Sequence, residues 1–460
     1  MKVAFVSQPG YSQFPPAGAD SIGLWTYAVA RQLARSHHDV TVYGRGTRQQ
    51  RVEERHEGVR YWPIPEEAID AKYVKYFQNL DRWGILPPKR PFVASRFYYW
   101  LYIRKIAKAI RDRQCDIVHI HNFSQFVPVI RAFNPDIQIV LHMHCEWLTQ
   151  LHAPTIEKRL EQVDLILGCS PYITKTIQQK FPQFSDRSQT VVNGVDVDAF
   201  ANTAISAPTD GLDLQADKSD RTMSQSQKQQ RLLFVGRVSP EKGVHVLLDA
   251  FRDVVARFPQ AQLTIVGPNR NSCRKEKLIQ LSDDPRVQAL ERFYPGPYMK
   301  HLRSHLPEGF EQQIRFTGAV PHQQLPDYYR QADILINPSL SEASGVSLLE
   351  AMAMGLPVIG ARIGGMPDNI EAGKTGLLVE PDNASALAQA IAQLLADNEL
   401  RASMGRAGRQ RAIAHFAWER VTEGLLGHYT HIITGHEPVS SDPADAAVVP
   451  QIATAESQTL

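Results

Sequence analysis

Two short stretches of this 460-residue sequence bring cations, carboxylates and free backbone amides to places where a phosphate ester could be held. In LLFVGRVSPEKGVHVLLDAF (232–251) a strand ends at Val235 and Gly236 turns the chain. Ser239 then reads as an N-cap, with Pro240 at the first helical position. Arg237 is left in the loop and Lys242 in the first helical turn. Cations are unfavourable at a helix N-terminus unless an anion is held there too. The plain alternative is two solvated surface charges.

The second stretch is NPSLSEASGVSLLEAMAMGLPVIGA (337–361). Ser344 is the expected N-cap, Met354 the last helical residue, Gly355 the position after it and Pro357 the stop. The amides of Gly345, Val346 and Ser347 then point at a shared site, where an anion would be welcome. Glu350 lies five residues into the helix, ~7.5 Å further along at 1.5 Å per residue. That matches the span from a diphosphate to the vicinal hydroxyls of a ribose, which one carboxylate can accept together. Glu342 sits eight residues earlier in the preceding loop. Two carboxylates facing one cleft are also the set needed for acid/base work. Either one alone is an ordinary solvated helix-end carboxylate.

Both stretches need strands and helices to position them. Short β-type runs alternate with helical patterns almost throughout, which is the signature of parallel sheets with crossover helices. Lys2–Val6 reads as a first strand and 21–35 as the first helix; further strands are expected at 116–121, 138–144, 164–169 and 190–192. The alternation restarts at Leu232–Val235 and continues at 263–267, 314–318, 333–338, 356–361 and 376–380. The economical reading is two doubly wound units, 1–200 and 231–415, joined by a polar linker at 201–230. An apolar helix follows Trp418 and runs to about residue 433; residues 436–460 read as a disordered polar tail.

The composition, 43% apolar and 21% charged, is that of a globular chain, and a net charge of +2 gives no global field for nucleic acid. The N-terminus lacks the apolar core of a signal peptide, and no run reaches the roughly 18 apolar residues of a spanning segment. Cys115, Cys145, Cys169 and Cys273 are widely spaced, so a reduced, cytoplasmic compartment is the simplest setting. No GxGxxG follows a strand and no P-loop occurs, so dehydrogenase and ATPase readings lack their central feature.

Three other features compete for a role. Asp196-Val197-Asp198 could ligate a metal, but it lies in an NGVD run that favours a turn. His119 and His121 alternate on one strand, as His142 and His144 do on another. Strand ends lining a cleft explain His121 and His144 better than zinc does, with His119 and His142 as core residues. Residues 71–113 carry 11 Lys/Arg against 2 Asp/Glu and 10 aromatics. That mixture suits an anionic membrane surface, with nucleic acid the weaker partner, or else a helix over 98–110 that buries its aromatics.

GRVSPEKG followed by SEASGVSLLEAMAMGLPVIGARIGGMPDNIEAGKTGLLVEPDN closely resembles the C-terminal half of the retaining glycosyltransferases of family 4. Glu342 and Glu350 form that family's E-x7-E pair, and NGVD with Phe200, FAWER (416–420) and parts of the N-terminal half extend the likeness over most of the chain. The resemblance implies the GT-B fold, two Rossmann-like domains facing a central cleft. It implies a metal-independent transfer from a nucleotide-diphosphate sugar donor to a hydroxyl on a sugar or lipid-linked acceptor, with no further cofactor. The N-terminal domain would bind the acceptor, and the helix of 416–435 would cross back to it. Carried over by position, Arg237 and Lys242 hold the diphosphate with Gly236 at the turn, Glu350 holds the ribose, and the amides of Gly345, Val346 and Ser347 meet the phosphate or sugar. Glu342 and His144 lie beside the donor sugar, and Gly23 matches a Gly-rich donor-side loop. Two departures concern the donor: Ala343-Ser344-Gly345 lacks the usual aromatic, and Asp368 stands where the family has Glu. An epimerase or sucrose-type synthase on the same donor, or a non-catalytic sugar-nucleotide binder, are the competing readings.

Overall fold

The structure is a computed structural model that describes residues 1–9, 21–46, 53–202, 230–269, 279–294, 296–304, 306 and 309–435. The expected linker, apart from its ends, the expected tail and Cys273 lie outside the described residues. Among the described residues, fourteen strands form two sheets. The first holds β1 (Lys2–Val6), β2 (Asp39–Gly46), β3 (Glu54–His56), β4 (Val59–Pro65), β5 (Ile117–His121), β6 (Gln138–Met143), β7 (Leu165–Gly168) and β8 (Ser188–Thr190). Its order is β3-β4-β2-β1-β5-β6-β7-β8, parallel except for the β3–β4 pair. The second holds β9 (Gln230–Val235), β10 (Ala261–Val266), β11 (Ile314–Gly318), β12 (Ile334–Asn337), β13 (Val358–Ala361) and β14 (Gly376–Val379), in the order β11-β10-β9-β12-β13-β14.

Each sheet is buried on both faces, which is why its strands read as near-continuous apolar runs. On β1, Val3 and Phe5 pack with Trp25, Val29 and Leu33 of helix α1 (Ser21–Arg35), while Ala4 and Val6 face the opposite core. In the second sheet Leu232 and Phe234 face the helix Val244–Arg257, and Leu233 faces the helix Val346–Met354. The helix Trp418–Thr434 packs Val421, Leu425 and Tyr429 into the α1 face of the first sheet.

Three strands of the first sheet, β2, β3 and β4, lie outside the sequence expectation. Pro63 and Pro65 argue against a strand at 59–65. The β4 strand tolerates them near the sheet edge, where only the three-residue β3 lies beyond it. The strand expected at 190–192 is β8, two residues earlier.

The helix expected over 98–110 is α3 (Trp100–Arg113), and Tyr98, Tyr99, Tyr102, Ile103, Ile106 and Ile110 are core residues. The apolar face is therefore buried there. Apart from Trp100 at the start of α3, the exposed aromatics of this region lie on α2 (Ala68–Arg82) and in the turns that follow. No helix among the described residues is long and apolar enough to cross a membrane.

Candidate active site

Strand order in the second sheet reverses between β9 and β12. Parallel sheets hold ligands beyond the carboxyl ends at such a reversal. The loop leaving β9 carries Gly236, Arg237 and Lys242, and the loop leaving β12 carries Glu342 to Gly345.

The two loops meet in an ion pair. Lys242 Nζ lies 2.6 Å from Glu342 Oε2, with both side chains only 16% exposed. Burial pushes the Glu342 carboxyl up, but the Lys242 ammonium, the Ser344 amide and the Arg237 charge outweigh it and hold its pKa below the ordinary value. Glu342 is thus an anion at neutral pH. Arg237 reaches the buried Glu241 Oε1 at 3.4 Å, and the Ser239 hydroxyl donates to that same oxygen at 2.7 Å.

The local backbone departs from the expected caps. Ser239 is the N-cap of the 3-10 turn Pro240–Lys242, with Pro240 at its first position as expected, but its hydroxyl bonds Glu241 rather than a turn amide. The α-helix begins at Val244, after Gly243 at φ 67°. A Cβ at Gly243 would sit 2.1 Å from the Pro338 carbonyl oxygen, so only glycine lets the two loops approach. Likewise the N-cap of Val346–Met354 is Gly345, in left-handed backbone, and not Ser344. The Glu342 loop rests on Gly364, where a Cβ would lie 1.7 Å from the Glu342 carbonyl oxygen.

Glu350 is buried, and both its oxygens are occupied. His322 Nε2 lies 2.8 Å from Oε1, and the Tyr329 hydroxyl donates to Oε2 at 2.6 Å. Burial lowers the His322 pKa, but the hydrogen bond and charge of Glu350, with Asp196, raise it overall. Neither His322 nor Tyr329 stands out in the sequence, because no spacing ties either to Glu350.

The expected residues divide between two cavities. Gly23, Val346 and Glu350 line one of about 400 Å³, together with Asn193, His322 and Trp418. Glu342 lines another of about 800 Å³, with Lys89, Glu146, Tyr172 and Arg286. The two carboxylates thus line different cavities. Gly236, Arg237, Lys242, Gly345, Ser347 and His144 line neither cavity.

The two units touch at the Glu342 loop. The Ser170 hydroxyl donates to the Ala343 carbonyl at 2.7 Å, and the Tyr172 amide donates to Asp368 Oδ2 at 3.0 Å. Asp368 is half-buried, and burial raises its pKa despite that amide, Arg411 and Lys175.

His144 follows β6 directly, and its amide donates to Asn122 Oδ1 at 2.6 Å. Its ring Nε2 lies 3.0 Å from His121 Nδ1, and burial pushes its pKa down to about 3. His119 and His142 are core residues, as expected; His121, expected at a cleft, is fully buried as well. Ring nitrogens of His119, His121 and His142 lie within 4.8 Å of one another, close enough to share an ion. His119 already spends both nitrogens, on the Tyr429 hydroxyl at 2.7 Å and on His142 Nδ1 at 3.2 Å. Asp196 Oδ1 accepts from the Ala199 amide at 2.8 Å, closing a turn.

Residues 22–199 match Glycosyltransferase Family 4, and residues 216–411 match Glycosyl transferases group 1. A D-inositol 3-phosphate glycosyltransferase of Corynebacterium efficiens is 30% identical over 450 residues, covering 94% of this chain and 96% of that one. The chain belongs to glycosyltransferase family 4. This family 4 enzyme is a retaining hexosyltransferase that uses nucleotide sugar donors. Spore coat protein SA of Bacillus subtilis is 25% identical over 93% of this chain and 99% of its own. The Anabaena protein HepE, solved with UDP-glucose, aligns at a TM-score of 0.62 with 18% identity, covering 93% of this chain and 98% of that one. That likeness carries the fold: the two sheets are arranged as in GT-B enzymes.

Proposed function

We propose that this glycosyltransferase moves a hexose from a uridine diphosphate sugar to a hydroxyl of a sugar or lipid-linked acceptor, without a metal. The supporting observation is that Gly23 of the first unit and Val346 and Glu350 of the second line one cavity large enough for a nucleoside. Residues 231–415 hold the donor, residues 1–200 the acceptor, and 416–435 return the chain to the first unit. HepE, solved in complex with UDP-glucose, supports the choice of base.

In this mechanism Glu350 accepts the ribose hydroxyls, which take the place of His322. Arg237, Lys242 and the amides of Gly345, Val346 and Ser347 gather on the diphosphate, where negative charge develops as the glycosidic bond breaks. Glu342 sits beside the sugar and holds Lys242 in place. As an anion bonded to a cation, it has no proton to donate, and the transfer needs no protein nucleophile. The acceptor hydroxyl enters from the 800 Å³ cavity on the Glu342 side, and the departing phosphate helps to deprotonate it. The test is a donor panel read as nucleoside diphosphate release, with and without sugar acceptors and EDTA. Acceptor-dependent release that persists in EDTA supports the reading. Donor epimerised without acceptor, or release abolished by EDTA, overturns it.

The setting we infer is the cytoplasmic face of an anionic membrane. Seven of the nine exposed large apolar side chains among the described residues lie between Ile69 and Trp100, with Trp83 70% exposed. They include Tyr73 and Tyr76, and residues 71–113 bear 11 cations against 2 anions. Aromatic rings with flanking Lys and Arg suit the headgroup layer. Lys89, between Trp83 and Trp100, also lines the Glu342 cavity, so a lipid-borne acceptor would arrive beside the site. Replacing Tyr73, Tyr76 and Trp83 by Ser should abolish sedimentation with phosphatidylglycerol vesicles while sparing acceptor-independent donor hydrolysis. No vesicle binding by the parent at low salt would overturn this setting.

A further inference from the structure

A segment of the second unit ends inside the core of the first. β10 stops at Val266 and β11 starts at Ile314, and the connection between them carries the short helices Pro285–Ala289 and Tyr298–Ser304. Its root belongs to the second unit. Leu290, Phe293, Tyr298 and Leu302 lie in that core, and the His245 amide donates to the Tyr298 hydroxyl at 3.0 Å. Ile279 lies in the same core, 5% exposed. Leu281, at the next position but one and 2% exposed, lies in the core of the first unit instead.

A leucine gains from burial only while its cover stays in place. Leu281 is therefore satisfied only with the two units together, and it fixes where the residues after it sit. Ser282, Asp284 and Arg286 line the cavity of about 800 Å³, together with Glu342 and with Tyr172 and Lys180 of the first unit. Burial pushes the Tyr172 pKa up, and the Asp284 charge adds to it, so the two residues sense each other across the units.

The polar edge of this segment is tied to itself. The Asp284 amide donates to Ser282 Oγ at 3.2 Å, and the Arg286 amide donates to Asp284 Oδ1 at 2.8 Å. The Arg286 guanidinium returns to the same carboxylate, Nε to Oδ1 at 3.1 Å and Nη2 to Oδ2 at 2.7 Å. These bonds, the guanidinium's foremost, hold the Asp284 pKa below its ordinary value despite partial burial. Arg286 Nη1 bonds no described residue. A carboxylate accepts and a guanidinium donates, so the pair offers both halves of what neighbouring sugar hydroxyls need.

We propose that residues 281–287 form an acceptor-selecting wall supplied by the donor-binding unit: Leu281 is the positioning residue that seats it on the first unit, and Asp284 and Arg286 are the specificity-determining pair that hydrogen-bonds the hydroxyls of a sugar acceptor. It rests on the placement of the acceptor in that cavity, proposed above. An acceptor sugar must then fit between a wall from one unit and a helix, Pro171–Lys180, from the other. Both units read the acceptor, and a poor fit is rejected only while Leu281 holds the wall in place.

The experiment uses the full-length protein. In hydrogen–deuterium exchange, peptides spanning 282–294 and 171–180 should exchange about tenfold faster in Leu281→Ala than in the parent, with Leu281→Met close to the parent. Peptides of the helix Val346–Met354 should not change. With the preferred donor, the acceptor probes are glucose, galactose and mannose, their methyl glycosides and their 6-phosphates, read as nucleoside diphosphate release. Arg286→Gln and Asp284→Asn should each raise the KM of the best probe about tenfold and leave the Kd of the nucleoside diphosphate within about twofold. Leu281→Ala should do the same, and Leu281→Met should keep the parent's KM. Exchange indifferent to Leu281→Ala overturns the seating role. A KM indifferent to Arg286→Gln and Asp284→Asn overturns the selecting role, as does a parent that transfers to none of these sugars. If the variants weaken the nucleoside diphosphate instead, the cavity holds the donor, and the reading that puts the acceptor there is what fails.

Discussion

His322 Nε2 lies 2.8 Å from Glu350 Oε1, so the carboxylate assigned to the ribose is already engaged by its own protein. With Tyr329 on the other oxygen, Glu350 is held in place before any nucleotide arrives. A ligand hydroxyl must exchange with the imidazole rather than find a free acceptor.

Glu350→Gln keeps the shape of the site and loses the charge. Charge-assisted hydrogen bonds are worth roughly 1.5–3 kcal/mol. The Kd of the nucleoside diphosphate should rise tenfold or more while the melting temperature changes little. Calorimetry checks it, and an unchanged Kd would place the ribose elsewhere.

The contact between His322 and Glu350 should make stability depend on pH. The folded His322 pKa is raised above the ordinary 6.5. Such a group contributes its stability fully below the unfolded pKa and loses it as pH rises through the folded value. The melting temperature of the parent should exceed that of His322→Gln most clearly below pH 6.5, and the gap should close at alkaline pH. A gap that widens with pH would contradict the shift.

Arg237 and Lys242 should contribute to rate more than to donor binding, because cations near the leaving oxygen favour the transition state over the substrate. Losing either should cost roughly 2–4 kcal/mol of barrier, about 30- to 1,000-fold in kcat. Arg237→Lys should rescue only in part, since the charge returns without the planar fork that Glu241 orients. Steady-state kinetics decide it: a change confined to KM would show uniform binding.

Tyr429→Phe should unfasten the returning helix from the first sheet. The change leaves His119 Nδ1 without its 2.7 Å partner in the core. A buried group left unsatisfied costs about 1–3 kcal/mol. Urea unfolding should show that loss. Nucleoside diphosphate affinity should stay unchanged, because Tyr429 lines neither cavity.

Much of the parallel framework was legible because strands buried on both faces announce themselves as apolar runs. The strands β2, β3 and β4 were not: prolines interrupt β4, Thr41, Gly44 and Gly46 interrupt β2, and β3 is three exposed residues. In the site, Arg237 and Lys242 stood out through their place at a helix start, where charge needs a reason, and Glu342 and Glu350 through their eight-residue spacing across the start of the next helix. Glu241, His322, Tyr329 and Ser170 did not. The partners of His322, Tyr329 and Ser170 are remote in sequence, and only the folded chain brings them together; Glu241 bonds Ser239 and Arg237 in its own loop, where its burial is what the sequence does not reveal. The caps misled for a related reason: Ser239 and Ser344 have the right chemistry, but Gly243 and Gly345 own the left-handed turns the loop packing requires.

The placement of Val421, Leu425 and Tyr429 against β1 and β5 has a consequence for how the protein is made. The first 200 residues leave the ribosome with an open slot along α1, lined by Val29, Leu33, Ile117 and Val140. Its cover is encoded more than 200 residues later, in Trp418–Thr434. At roughly 5–20 residues per second the slot waits about 10–50 s for it. During that interval the nascent first half is a client for chaperones, and a message cut short before Trp418 would yield a chain whose earliest-made sheet never finishes folding.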